Sequence, residues 1–128
     1  HEPLQQRFAD LVGGLTEAEG SLRPALEQVR EQLPRLAEKV RESRIESPGM
    51  SVLAERISRT RTAIENWLDV DDAMAREELP DAHVLRDRMR IALARGPLAG
   101  DPPKRVRELA RRVEEYYESG EKARQPVL

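Results

Sequence analysis

The chain has 128 residues, of which 38% are hydrophobic and 36% are charged, and its formal net charge is −2. This length supports one domain with a modest core, and the near-neutral charge gives no whole-chain electrostatic argument for nucleic-acid binding. The absence of cysteine excludes a disulfide framework and thiolate metal sites. No apolar run approaches the ~18 residues of a membrane span and no signal-peptide pattern is present, so we expect a cytoplasmic protein without membrane contact.

The residue types indicate an all-α fold. Leu, Ala, Glu and Arg, which are good helix formers, dominate, whereas aromatic residues make up only 3% and runs of β-branched residues are missing. We therefore predict a helical bundle without strands. Arginine far outnumbers lysine, and together with the Ala and Pro usage this is typical of proteins from GC-rich bacterial genomes.

The first third of the chain carries an apolar stripe with helical spacing. Residues three and four apart recur at Leu4, Phe8, Leu11, Leu15, Leu22, Leu26, Val29, Leu33, Leu36 and Val40. Gly20-Ser21 predicts a break between two helices, with Ser21 as the cap of the second, and Gly13-Gly14 and Pro34 are weak points within them. The stripe fits either an αα-hairpin or a coiled-coil dimer interface, and its interruptions favour the hairpin. Residues 1–46 are thus predicted to form an N-terminal helical hairpin or dimerisation arm.

Turn-forming residues divide the rest of the chain. Ser47-Pro48-Gly49 marks the start of a second unit, predicted to cover residues 47–118. Its helices are expected at about 51–57, 60–70, 81–94 and 103–117, with Gly- and Pro-rich sequence between the last two. Residues 119–128 are polar and are predicted to form a flexible tail.

Residues 53–68 resemble the helix-turn-helix of the Cro and phage-repressor class, and the likeness extends over residues 50–93. Ala54 stands at the small position where the second helix of that motif crosses the first. Leu53, Ile57, Ile64 and Trp67 stand at the apolar positions that lock the crossing. The turn, which usually holds Gly because a positive φ is cheap there, falls at Ser58, and the next residue is Arg59. The resemblance implies a helix-turn-helix-like core inside the helical bundle.

The resemblance also implies which side chains contact DNA. The polar face of the second helix would read base edges in the major groove with Thr60, Arg61, Thr62, Glu65 and Asn66. A basic segment follows an acidic one, and it offers phosphate contacts together with Arg59. The candidates are Arg59, Arg86, Arg88, Arg90, Lys104, Arg105, Arg107, Arg111 and Arg112. The alternative interpretation of these bases is a solvated face that pairs with nearby acids at i to i+4.

Residues for catalysis or metal binding are not assembled in the sequence. His83 is the only internal histidine and has no cysteine to complete a zinc site. The acidic cluster Asp69, Asp71 and Asp72 lacks the central Gly and closing Glu of a calcium loop. No Ser lies in a nucleophile-elbow context with an available His. We therefore expect no enzymatic activity, no cofactor, no metal and no small-molecule substrate.

Two functions remain open at this point. The first is a bacterial, regulatory helix-turn-helix module that binds DNA as a homodimer, since two recognition helices one DNA turn apart bind more tightly than one. The second is a helical protein–protein interaction module from a larger multidomain protein or complex, which the near-neutral charge favours. The salt dependence of binding separates them, because phosphate contacts weaken steeply with salt.

Overall fold

The computed structural model describes residues 2–17, 22–76, 81–94 and 104–124, and within these ranges the chain forms helices and no strand. In chain order they are α1 (Glu2–Glu17), α2 (Leu22–Glu42), α3 (Pro48–Met74), α4 (Ala82–Ala94) and α5 (Lys104–Arg124). The predicted all-α fold is confirmed.

Helices α1 and α2 pack against each other as a hairpin. The apolar stripe of the sequence accounts for the contact, since Phe8 and Leu15 of α1 are buried in the same core as Leu26 and Leu33 of α2. The predicted break at Gly20-Ser21, with the Ser21 cap, lies outside the described residues. Gly13-Gly14 and Pro34 do not divide their helices.

Helix α3 begins at the predicted boundary. Ser47 has an extended backbone and is the N-cap, because its hydroxyl accepts a hydrogen bond from the Met50 backbone N at 3.2 Å. Pro48 occupies the first turn, where its missing N–H costs nothing. From this start the helix continues for 27 residues to Met74.

The predicted turn at Ser58-Arg59 is wrong, because α3 passes through it without interruption. Hydrogen bonds within the helix cover the segment: the Thr60 hydroxyl donates to the Arg56 carbonyl at 2.6 Å, and the Thr62 hydroxyl to the Ser58 carbonyl at 3.1 Å. Ser58 is an ordinary helix residue and needs no positive φ, so nothing forces the chain to turn. Ala54, predicted to lie under a crossing helix, is exposed. Residues 53–68 therefore do not form two crossed helices.

Helix α4 has the predicted position, whereas α5 is longer than predicted. Asp81 caps α4, since its carboxylate accepts from the His83 backbone N at 2.8 Å. Helix α5 continues through Gly120 to Arg124, so the chain is still helical where the tail was predicted to begin at residue 119. An isolated Gly weakens a helix by ~1 kcal/mol but does not end it. Residues 125–128 lie outside the described part of the chain.

One apolar core runs through the described helices, and α3 lies at its centre. Helix α2 packs on α3 on one side, and α4 and α5 pack on α3 and on each other on the other side. Trp67 and Ile64 of α3 are almost completely buried. The predicted units 1–46 and 47–118 therefore share a single core across the 46/47 boundary. Among the described helices, none has both the length and the hydrophobicity of a membrane-spanning segment.

Ion pairs add a second link between α2 and the end of α3. The Arg23 guanidinium lies 3.2 Å from the Asp71 carboxylate and also pairs with Asp72. The pKa of Arg23 is raised, first by its hydrogen bond with Glu27 and then by the charges of the two aspartates. Two members of the acidic cluster thus take part in holding two helices together.

Candidate interaction surface

The five predicted base-reading residues do not form one open face. Thr60 is completely buried, with its hydroxyl hydrogen-bonded to the Arg56 carbonyl of its own helix, so it is not accessible to a base in this structure. Glu65 and Asn66 are half-buried, and the Glu65 carboxylate lies 4.0 Å from the Arg30 guanidinium of α2. Only Arg61 and Thr62 are exposed.

Most of the predicted phosphate contacts are engaged within the fold. The Nε atoms of Arg86 and Arg90 on α4 lie 3.1 and 2.9 Å from the two carboxylate oxygens of Glu114 on α5. The hydrogen bond from Arg90, and after it the charge of Arg86, lower the pKa of Glu114 against the opposing effect of desolvation. These two arginines therefore join α4 to α5.

The other predicted phosphate contacts divide between paired and exposed side chains. Arg59 pairs with Glu55, Arg105 with Glu108 at 2.9 Å and Arg111 with Glu115 at 3.8 Å, each within its own helix. These are the helical pairings of the alternative interpretation. Exposed side chains that have no ion pair within the described ranges are Arg88, Lys104, Arg107 and Arg112.

His83 and the tyrosines lie at the junction of α4 and α5. The His83 and Tyr117 rings meet edge to face with their centroids 4.9 Å apart. The Arg86 guanidinium lies over the same Tyr117 ring, 4.0 Å from its centroid. Tyr117 thus serves packing between helices. No group of three metal-ligating side chains is present among the described residues.

A groove of about 820 Å³ runs along the α1–α2 hairpin, and we call it the α1/α2 groove. Its apolar residues are Leu11, Gly14, Ala25, Val29 and Leu36. Its polar residues are Arg7, Asp10, Gln28, Glu31, Gln32, Arg35 and Lys39. Val29 and Leu36 are buried at the bottom of the groove, Leu11 and Ala25 are half-buried, and charged side chains stand along both edges.

Gly14 lines the groove on the α1 side and has no side chain that projects into it. A Cβ atom added at Gly14, or at its neighbour Gly13, would meet no heavy atom within 4 Å. Within the described chain, therefore, no close contact requires either glycine, although each costs about 1 kcal/mol relative to alanine in a helix interior. Leu11, about one turn before Gly14, and the adjacent Val12 are only half-buried. This part of α1 presents backbone and partly exposed apolar side chains to solvent.

The charges beside the groove leave a positive excess. Glu31 is 3.7 Å from Arg35, and Asp10 accepts a hydrogen bond from Gln6 at 2.8 Å. Arg7 and Lys39 are exposed and form no ion pair with any residue that the structure describes. The edges of the groove therefore carry more positive than negative charge.

Sequence reasoning did not find this groove. The sequence feature that falls in the groove is Gly13-Gly14 inside an amphipathic helix, and that pattern alone predicts only a weak point of the helix. No family model matches this chain, and no curated protein or solved structure matches it.

Proposed function

We propose that this chain is a helical protein–protein interaction module that binds an amphipathic α-helix of a partner protein in the α1/α2 groove. The observation that supports this most is the open apolar groove beside Gly14, which no described side chain fills. Helix-in-groove docking needs two helices that offer apolar surface at the bottom and polar surface at the edges. The hairpin offers both.

The proposed ligand follows from the dimensions of the groove. A helix needs close access to the α1 backbone, which Gly14 allows because it has no side chain to hold the two backbones apart. An apolar stripe with i, i+3, i+4 and i+7 spacing would lie against Leu11, Val29 and Leu36. Helix α1 has 16 residues and is about 24 Å long, so a helix of about 20 residues is long enough to span it.

The proposed charge of the ligand follows from the edges of the groove. Arg7 and Lys39 lack an ion pair within the described residues, so acidic side chains beside the apolar stripe of the partner would find partners there. Exposed pairs of this kind contribute at most about 1 kcal/mol each and serve orientation and specificity more than affinity. The apolar contacts would carry most of the affinity.

DNA binding is the competing proposal. It is supported by the exposed bases Arg61, Arg88 and Lys104. However, α3 is one continuous helix, so residues 53–68 do not form the crossed pair of helices that places a recognition helix in the major groove. Thr60 is also buried and not accessible to a base. We therefore place it second.

Fluorescence anisotropy with two synthetic peptides tests the first proposal. Both peptides are labelled amphipathic helices of about 20 residues with a leucine stripe, and they carry either glutamates or lysines beside it. We expect the protein to bind the glutamate peptide more tightly. Gly14→Phe should fill the groove and weaken binding about ten-fold or more, a loss of about 1.4 kcal/mol.

The matched control is Gly13→Phe, which makes the same change one residue away, outside the groove lining. It should leave peptide affinity within about two-fold, since Gly13 is not among the residues that line the groove. Equal affinity of wild type and Gly14→Phe for the glutamate peptide would contradict the proposed site. Tight binding of duplex DNA that falls steeply with salt, with no peptide binding, would favour the competing proposal.

A further inference from the structure

Helix α4 exposes a short ridge beside its buried face. Val84 and Ile91, two β-branched residues, are 48% and 52% exposed, and Asp87 and Arg88 between them are also exposed. On the other face of the helix, Leu85, Met89 and Ala92 are buried. We call the side chains of Val84, Asp87, Arg88 and Ile91 the α4 ridge.

The spacing of the α4 ridge places its four side chains in one row. Residues at i, i+3, i+4 and i+7 share one helix face, so Val84 and Ile91 lie at the two ends and the charged pair lies in the middle. The midpoint between Val84 and Ile91 is also the midpoint between Asp87 and Arg88. The row therefore has the same centre for its apolar pair and for its oppositely charged pair.

We propose that a second copy of this chain docks on the α4 ridge, with the two α4 helices antiparallel about a two-fold axis at that centre. In this register Val84 faces Ile91 of the other copy, and Asp87 faces Arg88 of the other copy. Each contact occurs twice, as an isologous interface requires. The ridge is thus complementary to itself in both apolar and charged positions.

The surroundings of the ridge fit this occupant. Within the described residues Asp87 and Arg88 form no ion pair, so both are available to a second chain. Asp69 of α3 borders the same shallow depression as Arg88 and Ile91 without pairing with Arg88. A second depression, of about 570 Å³, also borders Ile91, and Ala63, Ala92 and Arg59 are among its other lining residues. That depression can receive an apolar side chain of the second copy.

The interface is small, because α4 has 13 residues and is only about 20 Å long. One helix pair buries less than the roughly 1,200–2,000 Å² of a standard stable complex, so we expect a weak dimer that dissociates on dilution. The ridge is separate from the α1/α2 groove, and the inference does not depend on the proposed function.

Sedimentation velocity of the full chain, from about 1 µM to about 1 mM, provides the test. We expect a monomer–dimer equilibrium in the wild type. Asp87→Arg alone and Arg88→Asp alone each place like charges opposite each other, and each should weaken the dimer about ten-fold or more. The double variant Asp87→Arg/Arg88→Asp exchanges the charges and should return the dissociation constant to within about three-fold of wild type.

Matched variants distinguish loss of the dimer from unfolding and from a general effect of added charge. Ile91→Glu should abolish the dimer, whereas Val52→Glu, at a residue of α3 that is 55% exposed, should not change it. Far-UV circular dichroism and thermal melts establish that each variant is folded. A wild type that stays monomeric up to about 1 mM, or a dimer that the single charge reversals leave intact, would overturn the proposal. A double variant as weak as the singles would overturn the antiparallel register.

Discussion

Substitutions at Ser58 distinguish an uninterrupted α3 from a helix-turn-helix by the sign of their effect. Ser58 is exposed in the interior of α3, and its side chain is not a partner in the hydrogen bond that its carbonyl accepts from Thr62. In a helix interior alanine is the best residue, serine is about 0.5 kcal/mol worse and glycine is about 1 kcal/mol worse. We therefore expect Ser58→Ala to stabilise the fold by about 0.5 kcal/mol and Ser58→Gly to destabilise it by a similar amount.

A turn at the same position would reverse this order. The turn of a helix-turn-helix favours a positive φ, which glycine adopts freely and alanine only at a cost of roughly 1 kcal/mol. The two structures thus differ by about 2 kcal/mol in the stability gap between the alanine and glycine variants.

Urea unfolding followed by the fluorescence of Trp67 measures this gap. Trp67 is the only tryptophan and is 1% exposed, so its emission reports on loss of the core. For a chain of this length a gap of 1 kcal/mol corresponds to a difference in Tm of about 3–5 °C. An alanine variant less stable than the glycine variant would refute a continuous α3.

Three further predictions concern other parts of the fold. Gly14→Ala should stabilise the isolated protein by about 1 kcal/mol, measured by urea unfolding, and weaken binding of the glutamate peptide, because the new methyl group enters the α1/α2 groove. The folded-state pKa of Glu114 lies below its ordinary value of 4.5, so its contribution to stability is complete above pH 4.5 and is lost as the pH falls through the folded pKa. Glu114→Gln should therefore lower the free energy of unfolding by up to about 1 kcal/mol at pH 7 and reduce the loss of stability on acidification. A pH profile of urea midpoints identical to that of the wild type would contradict this. Arg44, just after the end of α2, has a φ of 52°, a conformation that glycine adopts more easily than arginine. Arg44→Gly should therefore stabilise the fold by about 0.5–1 kcal/mol and raise its Tm. A lower Tm would refute the assigned left-handed cap.

The helical architecture was predictable because it depends on local patterns. The apolar stripe from Leu4 to Val40 predicted the α1–α2 hairpin, and its members Phe8 and Leu26 are buried in the core. Ser47 and Asp81 are N-caps whose side chains accept backbone N–H groups, and both helix starts follow from those residue types. Hydrophobic periodicity and capping are properties of short segments, so they can be read without knowledge of the rest of the fold.

The interruption of α3 was mispredicted because similar side-chain patterns suit a turn and a helix. Small and apolar residues at the spacing of Ala54, Ile57 and Ile64 occur in both. The deciding residue was Ser58, which lacks the conformational freedom that makes glycine favourable in a turn. The partners of Arg86 and Arg90 were also not predictable, because Glu114 reaches them from a different helix. A contact between residues 24 and 28 positions apart depends on helix packing and leaves no local pattern in the sequence.

The proposed function is tested most directly by amide chemical shifts of the ¹⁵N-labelled protein, titrated separately with the glutamate peptide and with duplex DNA. The account predicts that the peptide moves the amides of Leu11, Gly14 and Val29, which line the α1/α2 groove, and that DNA at moderate salt moves none of them. Peptide-induced shifts that avoid this groove, or DNA-induced shifts centred on Arg61 and Arg88, would contradict it.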